Sequence, residues 1–161
     1  VWQLPCIFVV ENNGYAEATS VKYSTACDDI ADRASSFNMP GVVVDGHDFF
    51  DVYEVAGEAV ERARAGGGPS LIECKVNRYY GHFEGDAQTY RAPNEVEKVR
   101  QTRDCLQNFA TRAVSAGLLQ EDDLASVDRE ISDLVEEAVD FAKAEPKPDN
   151  EDLLTDVYVS Y

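Results

Sequence analysis

Asn12 and Asn13, followed by Gly14 and Tyr15, place two amide side chains and a turn carbonyl within four consecutive residues. Hard neutral oxygens of this kind suit Mg²⁺, which sheds water reluctantly and takes its remaining ligands from a carboxylate and substrate phosphate. Asn-Asn-Gly is also ordinary turn chemistry, because an asparagine side chain can bond to backbone two residues on. A second stretch, Tyr80-Gly81-His82-Phe83-Glu84-Gly85-Asp86, runs on to Tyr90-Arg91 and carries one of only two histidines. An imidazole there can bind an anionic phosphate or move a proton near neutral pH, and by residue type alone it is equally a surface loop histidine. The other, His47, lies between Asp45 and Asp48 in turn chemistry and reads as structural. Glu11 is the one acid beside the asparagines, and an acid at a strand end is usually just solvated. No Gly-rich phosphate cradle, Gly-x-Ser-x-Gly elbow or metalloprotease helix occurs.

The elements that must position these groups are legible as an alternation. Pro5-Cys6-Ile7-Phe8-Val9-Val10 reads as a buried strand delivering the asparagines to its carboxyl end. Residues 16–25 are small and polar without a period and read as an extended connection. A short helix is expected from Asp28 as N-cap, with Ile30, Ala31, Ala34 and Phe37 at helical spacing. Gly41-Val42-Val43-Val44 is a second strand, and Asp48 caps an amphipathic helix that ends at Gly66-Gly67-Gly68. Leu71-Ile72-Glu73-Cys74-Lys75-Val76 is a third strand. Strand, helix, strand, helix, strand implies an α/β fold whose parallel sheet is covered by flanking helices. All three strands then end on one side, so the loops at Asn12-Asn13, at Asp45-Gly46-His47 and at Tyr80-Gly81-His82 share a rim. Ligands of open α/β sheets bind beyond such a rim.

From Pro93 the pattern turns helical. Asn94 and Glu97 fit a capping box opening one helix that ends at Gly117. A last helix starts near Glu121-Asp122-Asp123, with Leu124, Val127, Ile131, Leu134, Ala138 and Phe141 on one stripe suited to core or subunit packing. The tail from Asp152 to Tyr161 could hold a short strand. This divides the chain into residues 1–92, an α/β domain, and 93–161, a carboxyl-terminal helical extension and tail.

The 161 residues, 44% hydrophobic and 28% charged, describe a globular chain. A net charge of -17 repels phosphate backbones and anionic lipid, which excludes nucleic-acid or membrane binding through a basic face. Cys6, Cys27, Cys74 and Cys105 lack metal or disulfide spacing and are expected to be buried reduced thiols. No membrane span or signal peptide is recognisable, so a cytoplasmic location is expected. The chain opens Val-Trp-Gln-Leu-Pro without methionine and is expected to be part of a longer protein.

At the two loops the sequence resembles the α subunits of the thiamine-diphosphate-dependent E1 components of 2-oxo acid and acetoin dehydrogenase complexes. Residues 4–16 resemble the second half of that family's thiamine-diphosphate motif, and Val44-Asp45-Gly46-His47-Asp48 resembles its Val-Asp-Gly-x-Asp turn. Arg78-Tyr79-Tyr80-Gly81-His82, with Tyr90-Arg91, is similar to its cofactor-side loop, and residues 142–148 to the end of its last long helix. The resemblance runs from about Leu4 to Tyr158. It implies the back half of a thiamine-diphosphate-binding fold with Mg²⁺ held by the Asn13 side chain and the Tyr15 carbonyl. It also implies that His82 sits at the diphosphate side and takes part in catalysis. The implied activity cleaves a 2-oxo acid or acetoin and passes the acyl group to a lipoyl group on the E2 partner, within an α2β2 assembly with E1 β. The family's Gly-Asp-Gly, with its metal-binding aspartate, is expected to lie before Val1, so this chain alone is expected to be inactive. Tyr80 replaces a second histidine of many relatives, and Phe83 replaces the serine that mammalian relatives phosphorylate. Gly81-His82-Phe83-Glu84-Gly85-Asp86 leans toward the acetoin-dehydrogenase branch. A non-catalytic binding or assembly module with the same fold is the alternative.

Overall fold

A computed structural model describes residues 1–155. It contains a parallel sheet of three strands: β1 (Ile7–Asn12), β4 (Gly41–Asp45) and β5 (Ser70–Lys75). The spatial order is β1-β5-β4, so the strand latest in sequence lies in the middle. A small antiparallel hairpin, β2 (Tyr15–Ala16) with β3 (Thr19–Ser20), follows β1 and leads into one turn of helix, α1 (Val21–Ser24). A 3₁₀ helix (Ile30–Phe37) and α2 (Phe49–Arg64) make the two crossovers.

The two faces of β5 sort by the period of two that a strand imposes. Leu71 packs with Ala31 and Ala34 of the 3₁₀ helix, joined by Val10 and Met39. Ile72 and Cys74 pack with Val44 of β4 and Ala59 of α2, joined by Ile7, Val52, Val55, Ala56 and Val76. Three layers result: 3₁₀ helix, sheet, α2. Asn12, Lys75 and Asp45 are register partners, so the three strands end level. Val76 N–H donates to Asn12 O (3.0 Å) and Gly46 N–H to Lys75 O (3.0 Å), carrying the bonding just past the strand ends. At Gly46 a side chain would run into Cys74, Val76 and the Lys75 carbonyl, which explains glycine in this turn.

Several expectations are corrected. The first strand reaches Asn12, so that residue belongs to the sheet and Asn13 opens the loop. Residues 15–24 form the hairpin and α1 in place of an extended connection, with pieces too short to show a period. The first helix is 3₁₀, capped by Asp29 and not Asp28, and it ends at Asn38 in a left-handed conformation (φ 51°). Phe37, at helical spacing with Ile30, Ala31 and Ala34, is exposed, whereas Ala31 and Ala34 are buried. The helix after Asn94 is two helices, α3 (Glu95–Thr102) and α4 (Cys105–Ser115). Asn94 makes no side-chain cap, and Glu95 instead accepts from Ala92 N–H (3.1 Å) while Glu97 bonds Gln101. The break has a cause: the Asp104 carboxylate accepts from the N–H groups of Leu106 (3.0 Å) and Gln107 (3.2 Å), starting a new helix. Of the cysteines only Cys74 is buried, and Cys105 is exposed. Residues 150–154 form a 3₁₀ turn, and the remainder of the expected tail strand lies outside the described residues.

Asp48 caps α2 as expected, accepting from Phe50 N–H (3.0 Å) and Asp51 N–H (3.4 Å), and it also pairs with Arg112 of α4. Asp48→Ala is expected to cost about 1 kcal/mol of stability, read as a lower denaturant midpoint at constant slope. An unchanged midpoint would show that neither the cap nor the pair contributes.

The chain forms two compact units, Val1–Ala113 and a second beginning at Val114. The second contains α5 (Glu121–Ala144), whose Gln120 N–H is accepted by Asp123 at its first turn (2.9 Å). Its stripe residues Val127, Ile131, Leu134 and Phe141 are exposed. Among the described residues no helix is long and apolar enough to cross a membrane.

Candidate functional site

Beyond the level ends of β1 and β5 the chain makes two nested turns. Asn12 Oδ1 accepts from Gly14 N–H (2.9 Å), and Asn13 Oδ1 accepts from Tyr15 N–H (3.0 Å). Gly14 at φ +83° supplies the left-handed conformation this pair of turns requires. Asn13 and Tyr15 line an open cleft of about 820 Å³ together with Cys27, Asp28, Lys75, Asn77 and Arg103. They also line a narrow recess beside it with Asn77, Arg78, Arg91 and Glu95. The Tyr15 hydroxyl donates to Glu95 (3.2 Å), and its ring lies 5.2 Å from that of Tyr90. Burial and the Glu95 carboxylate push the Tyr15 phenol up.

His82 is exposed and lines neither cavity, but its Nδ1 lies 3.4 Å from Nη1 of Arg78, which lines the recess. Asp86 organises this loop. Its carboxylate accepts from His82 N–H (2.8 Å), Gln88 N–H (2.8 Å) and the Tyr90 hydroxyl (2.7 Å). Those bonds, the one from His82 foremost, hold the Asp86 carboxyl down at about 2. Tyr90 in turn accepts from Arg78 Nη2 (2.5 Å), which also donates to Glu17 O (3.0 Å), and Arg91 donates to Tyr80 O (3.0 Å). The structure therefore brings Asn13 and Tyr15 together, with His82 joined to them through Arg78. His47, as expected of a structural residue, is buried, with Nε2 3.0 Å from Asn77 Oδ1.

The residues that sequence reasoning passed over are Glu73, Lys75, Asn77 and Glu95, and Arg78 was noted only as part of the loop that carries His82. Glu73 is wholly buried at the centre of β5 and accepts from Asn12 Nδ2 (2.6 Å), Lys75 Nζ (2.6 Å) and Ala31 N–H (2.8 Å). Burial pushes its carboxyl up, and these hydrogen bonds outweigh that and leave it below the ordinary glutamate value. An acid inside an apolar strand run was the available signal, because a buried carboxylate is kept only with partners.

Donor chemistry tests what the rim can hold. The Nε atoms of Arg78 and Arg91 are buried without a hydrogen-bond partner, an arrangement that an anionic group at the recess would relieve. Asn13 keeps one lone pair of Oδ1 beyond its turn bond, a neutral oxygen fit for Mg²⁺. Among the described residues no group of three His, Cys, Asp or Glu side chains could hold a metal ion. A metal at Asn13 would therefore meet no preformed three-residue cluster among the described residues and would draw charge from phosphate.

Comparison with known proteins identifies a family. The model of the family described as dehydrogenase E1 component matches residues 1–151. The chain is 60% identical over its whole length to the α subunit of acetoin:2,6-dichlorophenolindophenol oxidoreductase from Cupriavidus necator, covering 48% of that protein. It is 53% identical to the protein of the same name from Bacillus subtilis, with the same coverage of both chains. Over 98% of its length it is 41% identical to the pyruvate dehydrogenase E1 component α subunit of Rhizobium meliloti, covering 45% of that chain. The chain spans about half the length of the curated relatives it matches.

Proposed function

Because this chain belongs to the dehydrogenase E1 component family, we propose that it forms the metal and diphosphate side of an E1 α subunit's thiamine-diphosphate site. The observation that carries the reading is the meeting of Asn13 and Tyr15 with the unpartnered guanidinium nitrogens of Arg78 and Arg91 at the rim of the parallel sheet. In it, the Asn13 side chain and the Tyr15 carbonyl are Mg²⁺ ligands, and Arg78 and Arg91 balance the charge of the diphosphate. Bound there, thiamine diphosphate would supply the electron sink for cleaving the bond beside a substrate carbonyl. His82, presented by the Asp86 loop, carries a proton at the diphosphate side.

The substrate is a 2-oxo acid or acetoin, and the acyl group passes to the lipoyl group of an E2 partner. The names of the two 53–60% identical relatives favour acetoin. Residues 1–92 provide the cofactor-binding part and residues 93–161 the helical extension and tail, with Glu95 reaching back to Tyr15. The exposed apolar stripe of α5 supports packing on partner subunits, foremost E1 β.

Calorimetry tests the site. The 161-residue chain by itself, titrated with thiamine diphosphate and Mg²⁺, is expected to show no micromolar binding, because its metal ligands are neutral. The α subunit that carries it, assembled with β, is expected to bind. Micromolar binding by the chain alone would overturn the claim that a further carboxylate is needed. No binding by the assembly would leave a non-catalytic binding or assembly module.

A further inference from the structure

Three N–H donors from three different elements converge on one carboxylate. Asn12 ends β1, Ala31 lies in the 3₁₀ helix and Lys75 ends β5, and all three donate to Glu73 at 2.6–2.8 Å. Lys75 Nζ also pairs with Asp29 (2.7 Å), the cap of the 3₁₀ helix. Glu73 has no exposed surface, so water cannot substitute for a lost partner.

Because a carboxylate only accepts, the Asn12 amide must present its NH₂ to Glu73. Its Oδ1 is thereby aimed at Gly14 N–H, closing the first turn, and the second turn at Asn13 follows directly. A glutamine at 73 could not serve all three donors: facing one way its NH₂ would meet Ala31 N–H, and facing the other it would meet both Asn12 and Lys75.

We propose that Glu73, acting through Asn12, is the positioning residue that sets the turn carrying Asn13 and Tyr15, and with it the affinity of that turn for a magnesium-bound diphosphate. The affinity half rests on reading Asn13 as a metal ligand. Glu73 touches neither metal nor substrate, and its effect travels through one amide.

Exchanging the two groups tests the linkage. Glu73→Gln and Asn12→Asp each break the donor-acceptor match. Combined, they restore the bond between positions 73 and 12, since the glutamine NH₂ can donate to the carboxylate introduced on β1, whose second oxygen still accepts from Gly14, while the glutamine oxygen accepts from Ala31 and Lys75 keeps Asp29. Amide hydrogen exchange on the 161-residue chain reads the turn directly. Each single variant is expected to lose about tenfold in protection at Gly14 and Tyr15, and the double variant to regain it. Calorimetric Kd for thiamine diphosphate with Mg²⁺, in the α subunit assembled with β, is expected to follow the same pattern, weakened about tenfold and then restored. Val44→Ala, on the opposite face of the sheet, is the control: it lowers melting temperature and leaves exchange at Gly14 and Tyr15 and the Kd unchanged.

Unchanged exchange at Gly14 and Tyr15 in both Glu73→Gln and Asn12→Asp overturns the inference while the metal role of Asn13 stands. A loosened turn with wild-type Kd, where Asn13→Ala weakens binding, overturns the affinity half. Wild-type Kd in Asn13→Ala removes the metal reading itself, a distinguishable failure. Should Glu73→Gln not fold, the double variant decides, and its failure to regain fold and protection overturns the proposal.

Discussion

Replacing His82 by alanine is expected, on the proposed function, to lower acyl-transfer turnover of the assembled α and β subunits about a hundredfold, the loss typical of a group that moves a proton in the transition state. The neighbouring guanidinium decides which nitrogen does this. Arg78 can only donate, so its approach to Nδ1 makes that atom the acceptor and leaves the proton of the neutral ring on Nε2. His82→Gln, which offers an NH₂ without a titrating lone pair, is expected to recover little. Steady-state kinetics with a lipoyl acceptor measures it, and wild-type kcat in His82→Ala would reduce the histidine to a loop residue.

A smaller loss, about tenfold in kcat, is expected for Asp86→Asn. The carboxylate accepts three donors from its own loop, His82 N–H, Gln88 N–H and the Tyr90 hydroxyl, and an amide cannot accept all three. Tyr90 passes the restraint on to Arg78, so the variant loosens the histidine and the recess together. The pH dependence has a definite sign. A carboxyl lowered to about 2 from 3.8 favours the ordered loop at pH above its ordinary value, and that contribution fades as pH falls through about 2. Protection of the His82 amide, corrected for intrinsic exchange, is therefore expected to decline between about pH 4 and 2 in the parent and to be low throughout in Asp86→Asn. A flat profile in the parent would remove Asp86 as the anchor. His82→Ala leaves the Asp86 bonds intact and lowers kcat alone, which separates the chemical group from its support.

Apolar β-rich runs placed the three strands and a helical stripe placed α2, but only β5 is buried along its length: β1 and β4, expected as buried strands, leave Phe8, Val9, Val42 and Val43 exposed because each lies at an edge of this three-stranded sheet. Asn13 and Tyr15 were legible as a pair since adjacent residues at a strand end must share a rim. The difference between Asn12 and Asn13 was not. Both are asparagines in a turn, and only the carboxylate of Glu73, distant in sequence, commits the first to anchoring. The helix break at Asp104 was hidden for a similar reason. An aspartate inside a helical pattern competes for backbone N–H groups, and the salt bridge from Arg103 to Asp45, a long-range partner, accompanies that break. The link from Arg78 to His82 was the least visible, because guanidinium reach is not written in spacing.

The placement of β5 between β1 and β4 has a consequence for how this chain is born. During synthesis β1 and β4 emerge first, and neither is the other's neighbour, so no ladder of this sheet can close until residues 70–75 have left the ribosome. Until then Phe8, Val9, Val42 and Val43 lack the pairing that β5 gives their strands, and exposed strand edges are where nascent chains engage chaperones or each other. Once β5 arrives it zips to both sides at once, and the same event buries Glu73. The central strand of this sheet and the anchor of the asparagine turn are thus delivered by one six-residue segment, which ties the closing of the ladders to the setting of the turn.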